Sequence, residues 1–233
     1  RTIAVTGGTG FLGAAVIAFL INRGDSVRAL VRGVGRLAGR GEQLIPVEGA
    51  LGDDAALARL VDGADAVIHC AGLTHARRDD EFRAVNGEGA GRVAAAAASV
   101  RAPMIHISSI AARQPELSAY AASKRAGEDA VRERSGANRW AGLRAPAIYG
   151  PGDAATLPYF RLVKSGIAPE PAAEPPPRAS ILYVDDVAAA AVAAADSPPP
   201  SGVYDLGDEA PDGRTWREIG ETLARAIGVR ARR

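Results

Sequence analysis

The chain has 233 residues, 47% of them apolar and 24% charged, with a formal net charge of +1. That suffices for one α/β core with a small attached lobe, and it leaves no basic field with which to hold nucleic acid. One cysteine excludes an intramolecular disulfide framework, and no apolar run approaches the length of a membrane span.

The chain enters its first strand almost at once, so no signal peptide is expected; it begins at Arg1 without a methionine, so part of the native N-terminus is expected to lie outside the numbering. The cytoplasm is the expected compartment. Ile3-Ala4-Val5 reads as a strand, and Phe11, Leu12, Ala15, Val16, Phe19 and Leu20 carry helical spacing. Between them lies Thr6-Gly7-Gly8-Thr9-Gly10-Phe11-Leu12-Gly13, a glycine turn of G-x-x-G-x-x-G spacing. Strand, glycine turn and helix together are the context of a dinucleotide site. Gly7 suits the positive φ of a tight turn, Gly10 lets a pyrophosphate approach the backbone, and Gly13 lets helix and strand pack closely. The helix N-terminus offers N–H groups and partial positive charge to the phosphates.

Arg23-Gly24-Asp25 reads as a helix stop, and Ser26 to Val31 as a second strand ending at Arg32-Gly33. In dinucleotide folds this strand end meets the adenosine ribose, where an acid takes both hydroxyls and an arginine favours a 2′-phosphate. Arg32 with no acid beside it points to NADP rather than NAD; the alternative is a solvated arginine. Arg36 and Arg40 follow in a glycine-rich loop as candidate helpers. Leu44 to Val47 is a third strand, and Asp53 caps a helix that carries Leu57, Leu60 and Val61 and ends at Gly63. Ala66 to Cys70 is the unbroken apolar strand of a doubly covered parallel sheet, followed by Ala71-Gly72 at the carboxyl end where ligands of such sheets bind. His69 and Cys70 have no further Cys/His neighbours at ligand spacing, so packing and not metal is their expected role.

Residues 80–99 read as one helix holding Asn86 together with Gly87, Gly89 and Gly91. Each interior glycine costs about 1 kcal/mol relative to alanine. Close packing against the sheet or a cofactor would offset that. Pro103 to Ser108 is another buried strand, ending in Ser108-Ser109, and residues 119–135 form the next helix. Tyr120 and Lys124 stand four apart at its start and share one helix face. An ammonium beside a phenol stabilises phenolate, which suits proton exchange with a substrate hydroxyl or carbonyl. Of 28 Lys plus Arg, only Lys124 and Lys164 are lysine. A compact ammonium kept at this position is suggestive, because lysine can also reach cofactor ribose hydroxyls.

The order of these pieces resembles the short-chain dehydrogenase/reductase superfamily, and within it the extended NAD(P)-dependent epimerase/dehydratase branch. The residues that carry the resemblance are the glycine turn Thr6 to Gly13, Val67-Ile-His-Cys-Ala-Gly72, Ile107-Ser-Ser109 and Tyr120-Ala-Ala-Ser-Lys124. Leu143-Arg-Ala-Pro-Ala-Ile-Tyr-Gly-Pro-Gly-Asp153 and Tyr183-Val-Asp-Asp-Val187 complete the set, which spans most of the chain. The resemblance implies an α/β fold with a Rossmann-like, doubly wound parallel sheet over residues 1–150. It implies a small C-terminal substrate lobe over 151–233, interleaved with the main domain. It also implies Tyr120 as proton exchanger, Ser109 as the hydrogen-bond partner of the substrate oxygen, and Lys124 as holder of the nicotinamide ribose; Ser108 is the fallback for Ser109. Gly7, Thr9, Gly10, Phe11, Leu12 and Arg32 would border the cofactor, with Leu51 contributing a backbone contact. Cys70, Ala71 and Gly72 would border the ribose, Asn86 would position the lysine or a water, and Pro146 and Ile148 would meet the carboxamide end of nicotinamide. Thr74, Ser109, Tyr149 and Arg178 would face substrate. Ala50 stands where many relatives place an adenine-binding Asp. Ser109-Ile110-Ala111 stands where sugar-nucleotide dehydratases place Thr-Asp-Glu, and without those acids dehydration is excluded.

Beyond Pro151-Gly152 a helix from about Ala154 to Lys164 leads into Pro169 to Pro177, too proline-rich for regular structure and read as a lid or a surface linker. Arg178 at its end could meet an anionic group such as a diphosphate. Ile181 to Val184 is a strand, Asp185 or Asp186 caps an alanine-rich helix, and Pro198-Pro-Pro200 stops it. Val203 to Leu206 and a helix from Thr215 to Ile227 complete the pattern. The expected activity is hydride transfer between nicotinamide and a carbinol or ketone carbon, as a reductase or alcohol dehydrogenase. Alternatives are a nucleotide-sugar epimerase holding NAD, and a non-catalytic dinucleotide-binding sensor or accessory subunit. The expected partner is a small-molecule substrate, with no nucleic acid or membrane. The resemblance further implies a homodimer formed by the helices bearing Asn86 and Tyr120, with the alanines at 94–98 permitting close approach.

Overall fold

The structure, a computed structural model, describes residues 1–33, 42–210 and 212–230. It falls into two compact units, one of residues 1–144 with 185–205, the other of 145–184 with 206–233.

The first unit is built on β1 (Thr2–Thr6), β2 (Ser26–Val31), β3 (Leu44–Glu48), β4 (Ala66–His69), β5 (Met104–Ser109), β6 (Trp140–Ala145) and β10 (Gly202–Asp205). They form one sheet in the order β10-β6-β5-β4-β1-β2-β3. β1 pairs in parallel with β2 and β4, β2 with β3, β4 with β5, and β6 with β10. This is the doubly wound Rossmann-like sheet expected. Its order reverses between β1 and β4, and a crevice opens at such a switch point beyond the strands' carboxyl ends. The flanking helices include α1 (Phe11–Asn22), α2 (Asp54–Val61), α3 (Asp79–Phe82), α4 (Ala90–Ser99) and α5 (Ala119–Ser135). β1 and β4 are buried on both faces, which is why they read as unbroken apolar runs. Leu57, Leu60, Val61, Val93, Met104 and Trp140 form one core cluster between the sheet, α2 and α4. Each such side chain contributes roughly 1.5–3 kcal/mol on burial.

Capping sets several helix boundaries. Asp53 accepts a hydrogen bond from the Ala56 N–H (3.0 Å) at the start of α2, as expected. Ser118 does the same for α5 through the Ala121 N–H at 3.1 Å.

The expected single helix over 80–99 is a composite: α3, a seven-residue π-helical stretch Arg83–Gly89, then α4. The wider π turn carries Asn86 inward, where it is buried. Gly89 and Gly91 pack tightly against other parts of the chain. A Cβ on Gly89 would lie 2.8 Å from Leu51 Cδ1, and one on Gly91 3.1 Å from the Ala130 Cβ on α5. Of the alanines at 94–98, Ala94 and Ala97 turn into the core and only the others face outward.

In the second unit, β7 (Ala147–Tyr149) pairs with β9 (Ile181–Tyr183), and β8 (Arg178–Ala179) with β11 (Arg214–Thr215). α6 (Leu157–Lys164) starts later than the expected Ala154, because Asp153 holds the preceding turn by accepting from the Ala155 and Thr156 N–H groups, each at 2.8 Å. Tyr149 lies between Phe160 and Tyr183 at ring-centroid distances of 5.6 and 5.5 Å. α8 (Trp216–Ala226) opens on a capping box made by Thr215 and Glu218. α7 (Val184–Asp196) begins before Asp185 and Asp186, so these are first-turn acids favoured by the helix dipole and neither is the cap. Residues 169–177 carry no helix or strand.

Candidate active site

The glycine turn runs from the end of β1 to the start of α1. Gly7 has φ +75°, and a Cβ on it would lie 2.5 Å from the Ala71 backbone nitrogen, so this loop rests on the chain leaving β4. A Cβ on Gly13 would run into the Gly7 carbonyl; the first turn of α1 therefore seats directly on the loop. No side chain caps α1, and its first turn carries no acid. Its N-terminal N–H groups are thus open to an anion, and this cradle fits the pyrophosphate of a dinucleotide. Thr9 and Gly10 are exposed, and Phe11 and Leu12 half-buried, around that turn. Leu51 is half-buried with its side chain packed on the core. Ala50 is exposed.

Arg32 is exposed one residue beyond β2. The other arginine of that strand, Arg28, is committed elsewhere: its guanidinium donates to the Asp62 and Arg59 carbonyls at the end of α2. Arg36 and Arg40 lie outside the described residues.

Beyond β4, Cys70 and Ala71 are half-buried, and Gly72 and Thr74 are exposed. Thr6, at the end of β1, accepts from the Ala71 N–H at 3.3 Å and shares a 2.6 Å hydrogen bond with His69 Nδ1. His69 in turn stacks on His106 of β5, with ring centroids 5.3 Å apart. Both rings are buried; His69 Nε2 and both nitrogens of His106 have no hydrogen-bond partner. Burial pushes His69 down to about 3 and His106 well below its ordinary value, so both are neutral. Burial also pushes the Cys70 thiol up to about 12. Among the described residues no group of three or more His, Cys, Asp or Glu side chains could hold a metal ion.

Asn86 does not bond Lys124, as the resemblance implied it could. Its Oδ1 accepts from the Leu73 N–H (2.8 Å), while its Nδ2 donates to the Leu73 carbonyl (3.0 Å) and to Ser123 Oγ (2.9 Å). Ser123 donates to the Tyr120 carbonyl at 2.7 Å. Asn86 therefore locks the loop after β4 to the first turn of α5. On that turn Tyr120 is half-buried, with its ring edge-on to Phe82 at 6.0 Å. Lys124 is buried and donates to the Ile107 carbonyl of β5 at 2.7 Å. A Cβ on Gly72 would lie 3.2 Å from Asn86 Oδ1 and 3.9 Å from Lys124 Nζ, so the glycine leaves the space before the ammonium open. Burial pushes Lys124 down to about 8, with the Glu128 carboxylate one turn on holding it up against that cost. At neutral pH it remains charged, and it titrates close to the working range.

Ser109 and Ser108 part company. Ser109 is half-exposed at the end of β5 and accepts from the Ala111 N–H at 3.2 Å. Ser108 points to the other face, is buried, and donates to Glu128 Oε1 at 2.5 Å. Its hydroxyl is already committed, which removes it as a substitute for Ser109. Glu128 went unnoticed in the sequence, although it repeats the four-residue spacing of Tyr120 and Lys124 on α5.

Four expected site residues belong to the second unit. Pro146 is buried there, Ile148 half-buried on β7, and Tyr149 sits in the aromatic cluster described above. Arg178 donates to the Gly213 carbonyl at 2.8 Å and to the Asp212 carbonyl at 3.1 Å. Its guanidinium holds its own lobe together, so a free arginine awaiting a diphosphate is not what stands there.

Residues 3–207 match the NAD dependent epimerase/dehydratase family. The chain is 42% identical over 232 residues to a ceramide reductase of Caulobacter vibrioides, covering 99% of this chain and 72% of that protein. It is 40% identical over 109 residues to a 4-hydroxy-2-methyl-3-oxo-4-farnesyl-3,4-dihydroquinoline-1-oxide ketoreductase of Stigmatella aurantiaca, covering 45% of this chain and 32% of that one. Its fold is similar to the crystal structure of the Bordetella bronchiseptica enzyme WbmH in complex with NAD+, with a TM-score of 0.81 at 21% identity, covering 100% of this chain and 85% of that one.

Proposed function

The chain belongs to the NAD dependent epimerase/dehydratase family, and on that premise we propose that it is an NADPH-dependent reductase of a lipid ketone. The observation that carries the reading is the Lys124 ammonium, buried yet charged, one helical turn from Tyr120 and facing the gap that Gly72 leaves. When bound, the nicotinamide supplies hydride to the carbonyl carbon. Tyr120 delivers a proton to the carbonyl oxygen, Ser109 donates a hydrogen bond to that oxygen, and Lys124 orients the ribose and stabilises the phenolate left behind. Gly7, Gly10 and the α1 N-terminus hold the pyrophosphate. The similarity to a ceramide reductase over 99% of the chain supports a ketone on a long-chain amide lipid as the substrate. A steady-state screen of NADPH oxidation tests this: ketones of that class are consumed, whereas nucleotide sugars are not. Epimerisation of a nucleotide sugar with no net NADPH consumption would replace the reductase with the epimerase reading.

Arg32 supports NADPH over NADH, since one charge-assisted hydrogen bond to the 2′-phosphate is worth about 1.5–3 kcal/mol, tenfold or more in affinity. Calorimetry with both cofactors checks it, and Arg32→Ala should erase most of the difference. Equal binding of the two by the unaltered protein would overturn the preference.

Self-association belongs to the same proposal. The outer faces of α4 and α5 border a groove of about 820 Å³ lined by Ala95, Ala96, Ala126 and Ala130, small enough for a second copy's helices to approach. Sedimentation should give twice the 23.9 kDa chain mass, and a monomer at high concentration would refute it.

A further inference from the structure

Glu128 is the most deeply buried carboxylate of α5, at 3% exposure, and the reaction described above makes no use of it. Its two oxygens are fully engaged. Ser108 Oγ donates to Oε1 at 2.5 Å, Arg144 Nε donates to Oε1 at 2.8 Å, and Arg144 Nη2 donates to Oε2 at 2.7 Å. Arg125 stands 3.6 Å from Oε2 on the same helix, and Asp205 lies 3.9 Å from the far side of the Arg144 guanidinium. The partners come from three elements: Ser108 precedes Ser109 on β5, Arg144 lies near the end of β6, and Glu128 sits one turn beyond Lys124 on α5.

The geometry points to Glu128 as a positioning residue for the proposed reduction: its carboxylate ties the end of β5 to α5 and supplies the counter-charge for the Lys124 ammonium. The inference rests on the reductase reading for its catalytic meaning. Two features separate it from an ordinary buried ion pair. First, no salt bridge of 4.0 Å or less joins Glu128 to Lys124 among the described residues, so Nζ is left to Ile107 and the open space before Gly72. Second, the groups of β4, β5 and the chain leaving β4 that interact with Lys124 carry no charge: His69 and His106 are uncharged imidazoles and Cys70 is a thiol. Glu128 is the anion that offsets the cost of burying the ammonium, acting across the helix face without occupying the hydrogen bonds Lys124 needs.

The sequence contains only two lysines, Lys124 and Lys164, which makes a direct test practical. Protein labelled with ¹³C at lysine Cε gives two signals, told apart by Lys164→Arg. In the unaltered protein the Lys124 signal should titrate at about 8. Glu128→Gln keeps an acceptor for Ser108 but removes the charge, and should move that midpoint down by about one unit. The alkaline limb of kcat should follow it, with the dissociation constant for NADPH changed less than about threefold, far below a tenfold step. Ser108→Ala loosens the same network and leaves the charge, so it should lower the melting temperature with the Lys124 midpoint in place. A midpoint unmoved by Glu128→Gln in a protein that melts cooperatively overturns the inference. Because the titration needs no substrate, a failed reductase assay leaves this result readable.

Discussion

Replacing Tyr120 with phenylalanine is expected to cut turnover by about 10²- to 10⁴-fold, the range that removal of a positioned proton donor produces. NADPH affinity should change little. The phenyl ring keeps its edge-on contact with Phe82, the Ser123 bond to the Tyr120 carbonyl is backbone-directed, and Lys124 keeps its bond to Ile107. The substitution therefore removes the O–H and leaves its setting intact. Pre-steady-state kinetics separates the outcomes: a normal rate of chemistry in the variant would show that another group delivers the proton. Lys124→Met should behave differently, raising KM for the cofactor as well as lowering kcat, because the ammonium serves both the phenol and the ribose.

Acid should unfold this protein through the two buried histidines. Both have folded-state values depressed, first by burial and then by the neighbouring Lys124 charge: His69 to about 3 against an ordinary 6.5, and His106 well below its ordinary value. The sign follows from where protons bind. Below 6.5 the unfolded chain takes up protons on these rings and the folded chain does not, so stability is full above that value and is lost as pH falls through it toward 3. At about pH 5 the His69 ring alone costs about 2 kcal/mol, from about 1.5 pKa units at about 1.36 kcal/mol each, and His106 acts in the same direction. That is a large share of a stability that for such domains totals about 5–15 kcal/mol. Urea unfolding at about pH 7 and about pH 5 measures the loss. His106→Phe puts an apolar ring of similar shape where two nitrogens lack partners, and should reduce the pH-dependent loss. An unchanged loss in that variant would place the acid sensitivity elsewhere.

Much of this was legible before any coordinates, and for identifiable reasons. Backbone punctuation and burial write themselves into sequence. Gly7 takes the positive φ expected of it, Asp53 caps its helix, and the β1 and β4 runs are apolar because both sheet faces are covered. Long-range polar pairing leaves no such trace. Nothing in Ser108-Ser109 says which hydroxyl points to which face; that depends on the pleat and on Glu128 arriving from twenty residues away. The sequence leaves Arg178 open between a partner for an anion and a solvated side chain; its guanidinium donates to carbonyls 34 and 35 residues on. The resemblance gives Asn86 to the lysine or a water; the π-helical turn carries it to Leu73 and Ser123. A helix-period reading could not foresee that turn, because one extra residue per turn rotates every later side chain. The His69–His106 stack is a register effect: the two residues pair across β4 and β5, which only strand alignment reveals.

The most direct test of the proposed chemistry follows the hydride itself. NADPH carrying deuterium at both C4 positions of the nicotinamide, incubated with the protein and a long-chain amide ketone, should yield an alcohol one mass unit heavier at the new carbinol carbon, one label per NADPH consumed. Tyr120→Phe should bind the same labelled cofactor and transfer almost none. Tight binding with no label in any product, or label exchanged into a sugar with no NADPH consumed, would contradict ketone reduction by this site.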